Sequence, residues 1–223
     1  MHILLTDVLT CPRCGPDFGL ILLADRLEDR RVMEGRLGCA NCREQYPVRN
    51  GAVDVRIPGT APDAEPSPAD AEVGDAQEAA VRLAALLGLA DARGTVLMAG
   101  PGAALAGHLA ALLPELQVVA FTPAPGDRAA APGVTPMAGS LARLPFRGGK
   151  LRGVALTGGA QEGELAEGLR VLQTGARLVV ENAREGTADA LGRLGAQVML
   201  DQEGTVVARA VGEPVQLRVN ALR

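Results

Sequence analysis

Tryptophan is absent from this 223-residue chain, and other aromatic residues are scarce: one tyrosine, Tyr46, and three phenylalanines, Phe18, Phe121 and Phe146. So few rings exclude a stacking platform for single-stranded bases. Lysine is nearly missing too; Lys150 is the only one, and arginine supplies the remaining positive charge. With so much alanine, glycine and leucine, that bias reads as genome composition. The net charge of −4 does not advertise a nucleic-acid binder. No apolar run approaches the ~20 residues of a membrane span, so no membrane contact is expected. The opening Met1–Asp7 has no basic region and no long apolar run. That start gives no sign of a secretory leader, and a cytoplasmic location is expected.

What is also lacking is an unpaired cysteine. All four sit in two matched pairs, Cys11-x2-Cys14 and Cys39-x2-Cys42, separated by 24 residues. Each C-x2-C turn folds two thiolates back onto one ion, so two such turns give a tetrahedral four-thiolate zinc site. Two disulfides are the alternative, but a cytoplasmic location disfavours them. A thioredoxin-like motif comes singly, where a strand enters a helix; here Pro12 and Gly15 mark tight turns. With all four ligands thiolate, no position stays open for water, so the expected zinc is structural. It supplies folding energy that so short a segment cannot draw from a core of its own. Residues 1–57 are therefore expected to form a separate, metal-held ribbon.

Residues 58–74 read as a tether. They hold Pro58, Pro62, Pro66 and Pro68, the acids Asp63, Glu65, Asp70 and Glu72, and no base. Such composition gives a semi-extended, solvated linker. Residues 75–223 form the second domain.

In the ribbon, 18–23 and 31–37 read as strands around a charged turn at 25–30, and 45–48 and 52–55 as strands around the turn signal Asn50-Gly51. After the tether, Asp75 with Glu78 three residues on opens a helix to about Leu87, whose apolar face is Val81, Leu83, Ala84, Leu86 and Leu87. Strands are then expected at 95–99, 117–121, 151–157, 177–181, 197–200 and 205–211, with a short one near Val134. Helices are expected at 103–113, 162–173 and 187–194. Alternating strands and helices imply a parallel, doubly wound α/β sheet. The last two strands are joined only by Asp201–Gly204, too little for a parallel crossover, so they must form an antiparallel hairpin.

That order resembles the class I S-adenosylmethionine-dependent methyltransferases, a Rossmann-like fold. The resemblance is carried by Thr95-Val96-Leu97-Met98-Ala99-Gly100-Pro101-Gly102, by Gly139–Phe146 and by Leu169–Val180. The ribbon is similar to the small zinc-ribbon proteins that activate tRNA and protein methyltransferases. That likeness is carried by Leu5–Cys14, Cys39-Ala40-Asn41-Cys42 and Tyr46–Gly51. In that family the ribbon docks on a methyltransferase and stabilises it.

The methyltransferase resemblance implies a cofactor site at Gly100, Gly102, Thr122 and Ser140. It also implies two acids, one on the first strand for the cofactor's ammonium and one ending the second for its ribose. This chain has Met98 and Phe121-Thr122 there. Ala104 replaces a third glycine, and Ser140 offers a hydroxyl where a charge is common. Charge-assisted hydrogen bonds are worth ~1.5–3 kcal/mol each, so losing two weakens binding by roughly a hundredfold or more. No aromatic Asn-Pro-Pro segment follows the fourth strand; Thr157-Gly158-Gly159-Ala160 stands there. Glu162 and Glu164 lie in a first helical turn, where acids serve the dipole and solvent. His108 reads as solvated, His2 as mobile, and Asp127 as a turn residue rather than a substitute ribose acid.

No catalytic residue is assigned. The expected function is a non-catalytic interaction or regulatory module, serving a methyltransferase or the translation machinery. The alternative is an active methyltransferase of RNA, protein or a small molecule. A protein partner is expected through the ribbon or through an edge strand at 215–222, which alternates apolar and polar residues. Arg26, Arg30, Arg31, Arg36, Arg43 and Arg49 offer an RNA contact, although equal acids balance them.

Overall fold

The computed structural model describes residues 1–59, 75–90, 93–124 and 131–212. Of the expected tether at 58–74, residues 60–74 lie outside the described residues, as do Asp127 and the expected edge strand at 215–222.

The ribbon holds five strands: β1 (Thr10–Cys11), β2 (Gly15–Glu28), β3 (Arg31–Cys39), β4 (Gln45–Arg49) and β5 (Ala52–Asp54). Antiparallel pairing links them in chain order. The β2–β3 hairpin runs longer than expected, to Glu28 opposite Arg31. Its turn is two residues, Asp29 and Arg30, both at positive φ (45° and 64°). Arg26 pairs with Glu28 and Glu34, and Arg36 reaches Asp25, so the charges expected to form a loop brace a strand pair instead. The β4–β5 turn falls at Asn50-Gly51, again at positive φ, as that dipeptide demands.

The second domain opens with α1 (Ala76–Leu87), where the Asp75 carboxylate accepts from the Gln77 N–H at 3.0 Å. Its buried face is Ala80, Leu83 and Leu87; Val81 points to solvent, contrary to expectation. Gly88 closes it in the left-handed region, and the Arg177 guanidinium donates to the free Leu86 carbonyl at 3.0 Å. There follow β6 (Gly94–Ala99), a 3-10 turn (Pro101–Leu105), α2 (Ala106–Leu112), β7 (Leu116–Thr122) and β8 (Val134–Ala138). Then come β9 (Leu151–Thr157), α3 (Glu162–Val171), β10 (Leu172–Glu181), α4 (Thr187–Arg193), β11 (Gln197–Gln202) and β12 (Thr205–Arg209). The expected helix to Gln173 ends at Val171, because Leu172 turns extended to pair with Leu151.

The strand order here is β8-β7-β6-β9-β10-β12-β11, with β12 alone antiparallel to its neighbours. This is the doubly wound sheet with a terminal hairpin that the alternation implied. Sequence order reverses between β6 and β9, which pair in parallel.

The ribbon is not set apart from that sheet. β5 pairs in parallel with β8, Val53 opposite Met137 and Asp54 opposite Ala138, and the Val55 N–H donates to the Ala138 carbonyl at 2.8 Å. Twelve strands thus form one sheet. A second seam joins the segment before β1 to the segment before β9. The Thr10 N–H donates to Pro145 and the Arg147 N–H to Val8, both at 2.9 Å, with Leu9 bridged to Phe146. Arg170 holds that segment by donating to the Phe146 and Leu144 carbonyls at 2.8 and 3.0 Å, while Glu167 accepts from the Leu144 N–H at 2.9 Å.

Burial follows the same plan. On one sheet face Leu83, Leu87, Met98 and Leu109 pack together. On the other, a single buried cluster runs from Leu5, Leu37 and Tyr46 of the ribbon through Phe146, Val154 and Leu178 to Ala208. Among the described residues, no helix is long and apolar enough to cross a membrane.

Candidate functional site

The four cysteines converge. Their sulfurs all lie within 4.8 Å of one another, with Cys11 to Cys42 at 3.7 Å and Cys14 to Cys39 at 3.8 Å. Zinc–sulfur bonds of about 2.3 Å put the sulfurs of a tetrahedral site about 3.8 Å apart, so the donor set fits zinc. No cysteine forms a disulfide. Donors surround the sulfurs: the Cys14 N–H to Cys11 at 3.4 Å and the Asn41 side-chain amide to Cys14 at 3.3 Å. Burial opposes ionisation of Cys39, yet the N–H groups of Cys42 and Asn41 bring its thiol down to about 7. The Tyr46 hydroxyl, 1% exposed, lies 3.4 Å from the Cys11 sulfur. Burial first and the Cys11 contact second push the phenol far above its ordinary range. Such outer contacts orient the ligands; the single tyrosine carried no sequence signal for that role.

The glycine loop sits at the carboxyl end of β6. Gly100 has φ +77°, and a Cβ there would lie 2.0 Å from the Thr157 carbonyl oxygen. A Cβ on Gly102 would lie 2.6 Å from the Thr157 side chain. The Gly102 N–H donates to Thr157 Oγ1 at 2.6 Å, and that hydroxyl donates to the Ala99 carbonyl at 2.8 Å. The glycines therefore admit β9, and the loop N–H that could face a ligand is already bonded. Met98, at the position of the first missing acid, is fully buried among helix α1 and α2 side chains. The residues present do not fit the ammonium end of S-adenosylmethionine.

Thr122 and Ser140 come together on the other side of β7. The Gly139 N–H donates to the Thr122 carbonyl at 2.9 Å, and the Thr122 hydroxyl turns back to Ala124 at 2.8 Å. Ser140 lines a cavity of about 680 Å³ between the ribbon and the α/β domain. Tyr46, Val55, Arg56, Pro123 and Arg143 also line it; Gly100 and Gly102 do not. Thr122 does not line it either, so of the four expected residues only Ser140 borders this cavity. Asp54, at the mouth of this cavity, is gripped by Arg56 through two side-chain bonds of 2.8 and 2.9 Å. Burial raises the Asp54 carboxyl, but the Arg56 hydrogen bonds outweigh it and hold it below its ordinary value.

Other expected residues fall away from both places. Glu164 accepts from the Gln161 N–H at 2.7 Å, capping α3, and Glu162 pairs with Arg193 at 3.4 Å. His108 is exposed. His2 is fixed rather than mobile: Nδ1 accepts from the Leu4 N–H, and its backbone bridges to Arg31.

Residues 2–51 match the family model described as Trm112p-like protein. No curated protein matches the chain. Among solved structures, similarity extends to the Burkholderia thailandensis 1,6-didemethyltoxoflavin-N1-methyltransferase (16% identity over 63% of this chain and 80% of that one, TM-score 0.48). It extends also to a geranyl diphosphate methyltransferase (13%, 60% and 78%, TM-score 0.49) and to the antibiotic-resistance methyltransferase Kmr (14%, 60% and 93%, TM-score 0.46). At these levels the likeness adds nothing to the strand order. The chain carries a Trm112p-like zinc ribbon at residues 2–51, joined to a Rossmann-like α/β domain of methyltransferase topology.

Proposed function

We propose that the ribbon, loaded with structural zinc, completes and stabilises its own methyltransferase-like domain, and that the whole acts as a binding or regulatory module without methyl transfer. The observation that carries this reading is the Thr157 hydroxyl, bonded at once to Gly102 and Ala99 in the place a cofactor's amino-acid end would need. The buried Met98 supports it further. A ribbon whose β5 edge is already paired with β8 offers no free edge there to another methyltransferase. The ribbon arginines support self-pairing over an RNA contact, since Arg26 and Arg36 bind acids of their own hairpin and Arg31 donates to the Val134 carbonyl. A protein partner would meet the outer hairpin instead, where Ile21, Leu23 and Leu27 are exposed. Four reduced thiols suit the cytoplasm.

One observation favours active methyl transfer: the strand order still reverses at β6 and β9, the usual crevice of such folds. Calorimetric titration of the zinc-loaded protein with S-adenosylmethionine and S-adenosylhomocysteine separates the two. No heat at millimolar ligand is expected. Micromolar binding would show that the loop opens and would restore the methyltransferase reading.

A further inference from the structure

We propose that the cavity between the ribbon and the α/β domain binds a small phosphate monoester of the mononucleotide class. This rests on the ribbon being docked on its own domain, and not on the absence of methyl transfer. Its volume of about 680 Å³ lies within the range of small-molecule sites.

The polar groups of the cavity favour an anion. Ser140 and Arg143 sit three residues apart on the 3-10 turn that spans Leu141–Arg143, with Ser140 as its N-cap. Both line the cavity, and among the described residues neither side chain has a hydrogen-bond partner. Arg56 stands in the same wall. Its Nε and one Nη hold Asp54, which fixes the guanidinium; among the described residues the other Nη makes no hydrogen bond. Among the described residues, two guanidinium groups against one carboxylate leave a net positive lining. That charge suits a phosphate, which arginine recognises by paired hydrogen bonds. It repels the sulfonium of S-adenosylmethionine.

The rest of the wall suits a flat, weakly polar body. Pro12, Pro47, Pro58 and Pro123 present rigid rings, and Val55 adds an aliphatic face. Gln45 supplies one amide, a donor and an acceptor together, matching the edge of a nucleobase. Most of the described wall comes from the ribbon and a third from the α/β domain, which supplies Ser140 and Arg143, so neither part makes the site alone.

The test uses the zinc-loaded full chain, titrated calorimetrically with adenosine 5′-monophosphate and uridine 5′-monophosphate, and with adenosine as the uncharged control. At least one nucleotide is expected to bind below the millimolar ceiling usual for metabolite sites, with adenosine at least about tenfold weaker. Arg143→Ala, at an exposed position, is expected to weaken binding about tenfold or more. Arg193→Ala removes the same charge far from the cavity and should leave affinity unchanged. The proposal is overturned if neither nucleotide binds at about 5 mM, if adenosine binds as tightly, or if Arg143→Ala matches the parent. A positive titration with S-adenosylmethionine would bear on methyl transfer and leave these outcomes as they stand.

Discussion

At the scale of single residues, Tyr46 ties the metal centre to the cavity, because its hydroxyl touches the Cys11 sulfur while its ring lines the seam. Tyr46→Phe keeps the ring and loses that contact. We expect zinc affinity to fall about tenfold or more, as outer-contact losses do, read by competition with a chromogenic chelator. Asp54 gives a pH dependence whose sign follows from its environment. Its folded carboxyl titrates below the ordinary 3.8. The pair with Arg56 therefore contributes above that pH, and the contribution disappears as pH falls through the folded value. The chain should lose about 1 kcal/mol on Asp54→Asn at pH 7, with the gap closing as the pH falls below 3.8, in urea unfolding at each pH. The four cysteines were fully legible, because metal ligation needs fixed residue types at short spacing. Gly100 and Gly102 were read from the resemblance as cofactor positions; their close approach to the carbonyl and side chain of Thr157 was not legible, because a contact across 55 residues leaves no local mark.

At the scale of elements, the seam between β5 and β8 decides how the ribbon sits. Val55→Pro removes the N–H that bonds to Ala138 and sets a ring where the backbone must pair. A loss of about 3 kcal/mol is expected, with hydrogen exchange rising in both β5 and β8. Arg170→Ala attacks the second seam by freeing the Leu144 and Phe146 carbonyls that its guanidinium binds. Chemical unfolding should show a cost of about 1.5–3 kcal/mol. The strands themselves could be read from sequence. The Asn50-Gly51 turn signal marked β5, and the strand expected at 151–157 is β9 with its bounds correct. The pairing of β5 with β8 could not be, since a parallel contact 84 residues apart, Val53 to Met137, has no turn to announce it. The β2–β3 turn lies within the expected 25–30 but is much tighter than that. Asp29 and Arg30 are not residues that favour positive φ as glycine does, so the charges beside them masked a tight hairpin.

At the scale of the molecule, one sheet and one continuous buried cluster unite the two parts. Composition leads to the expectation of a metal ribbon, a proline-rich tether and an α/β domain, because each segment has its own residue bias. It could not show that the ribbon folds back, because docking depends on complementary surfaces rather than on composition. The functional consequence is that zinc loading should govern the α/β domain as well as the ribbon. A structural zinc contributes on the order of 10 kcal/mol to the fold that holds it, so its removal should reach every part of a shared core. The most direct test is scanning calorimetry of the full chain, zinc-loaded and after chelation. A single transition that moves as a whole to lower temperature when zinc is removed is the expected result. Two transitions, with the α/β one unmoved by chelation, would contradict the account.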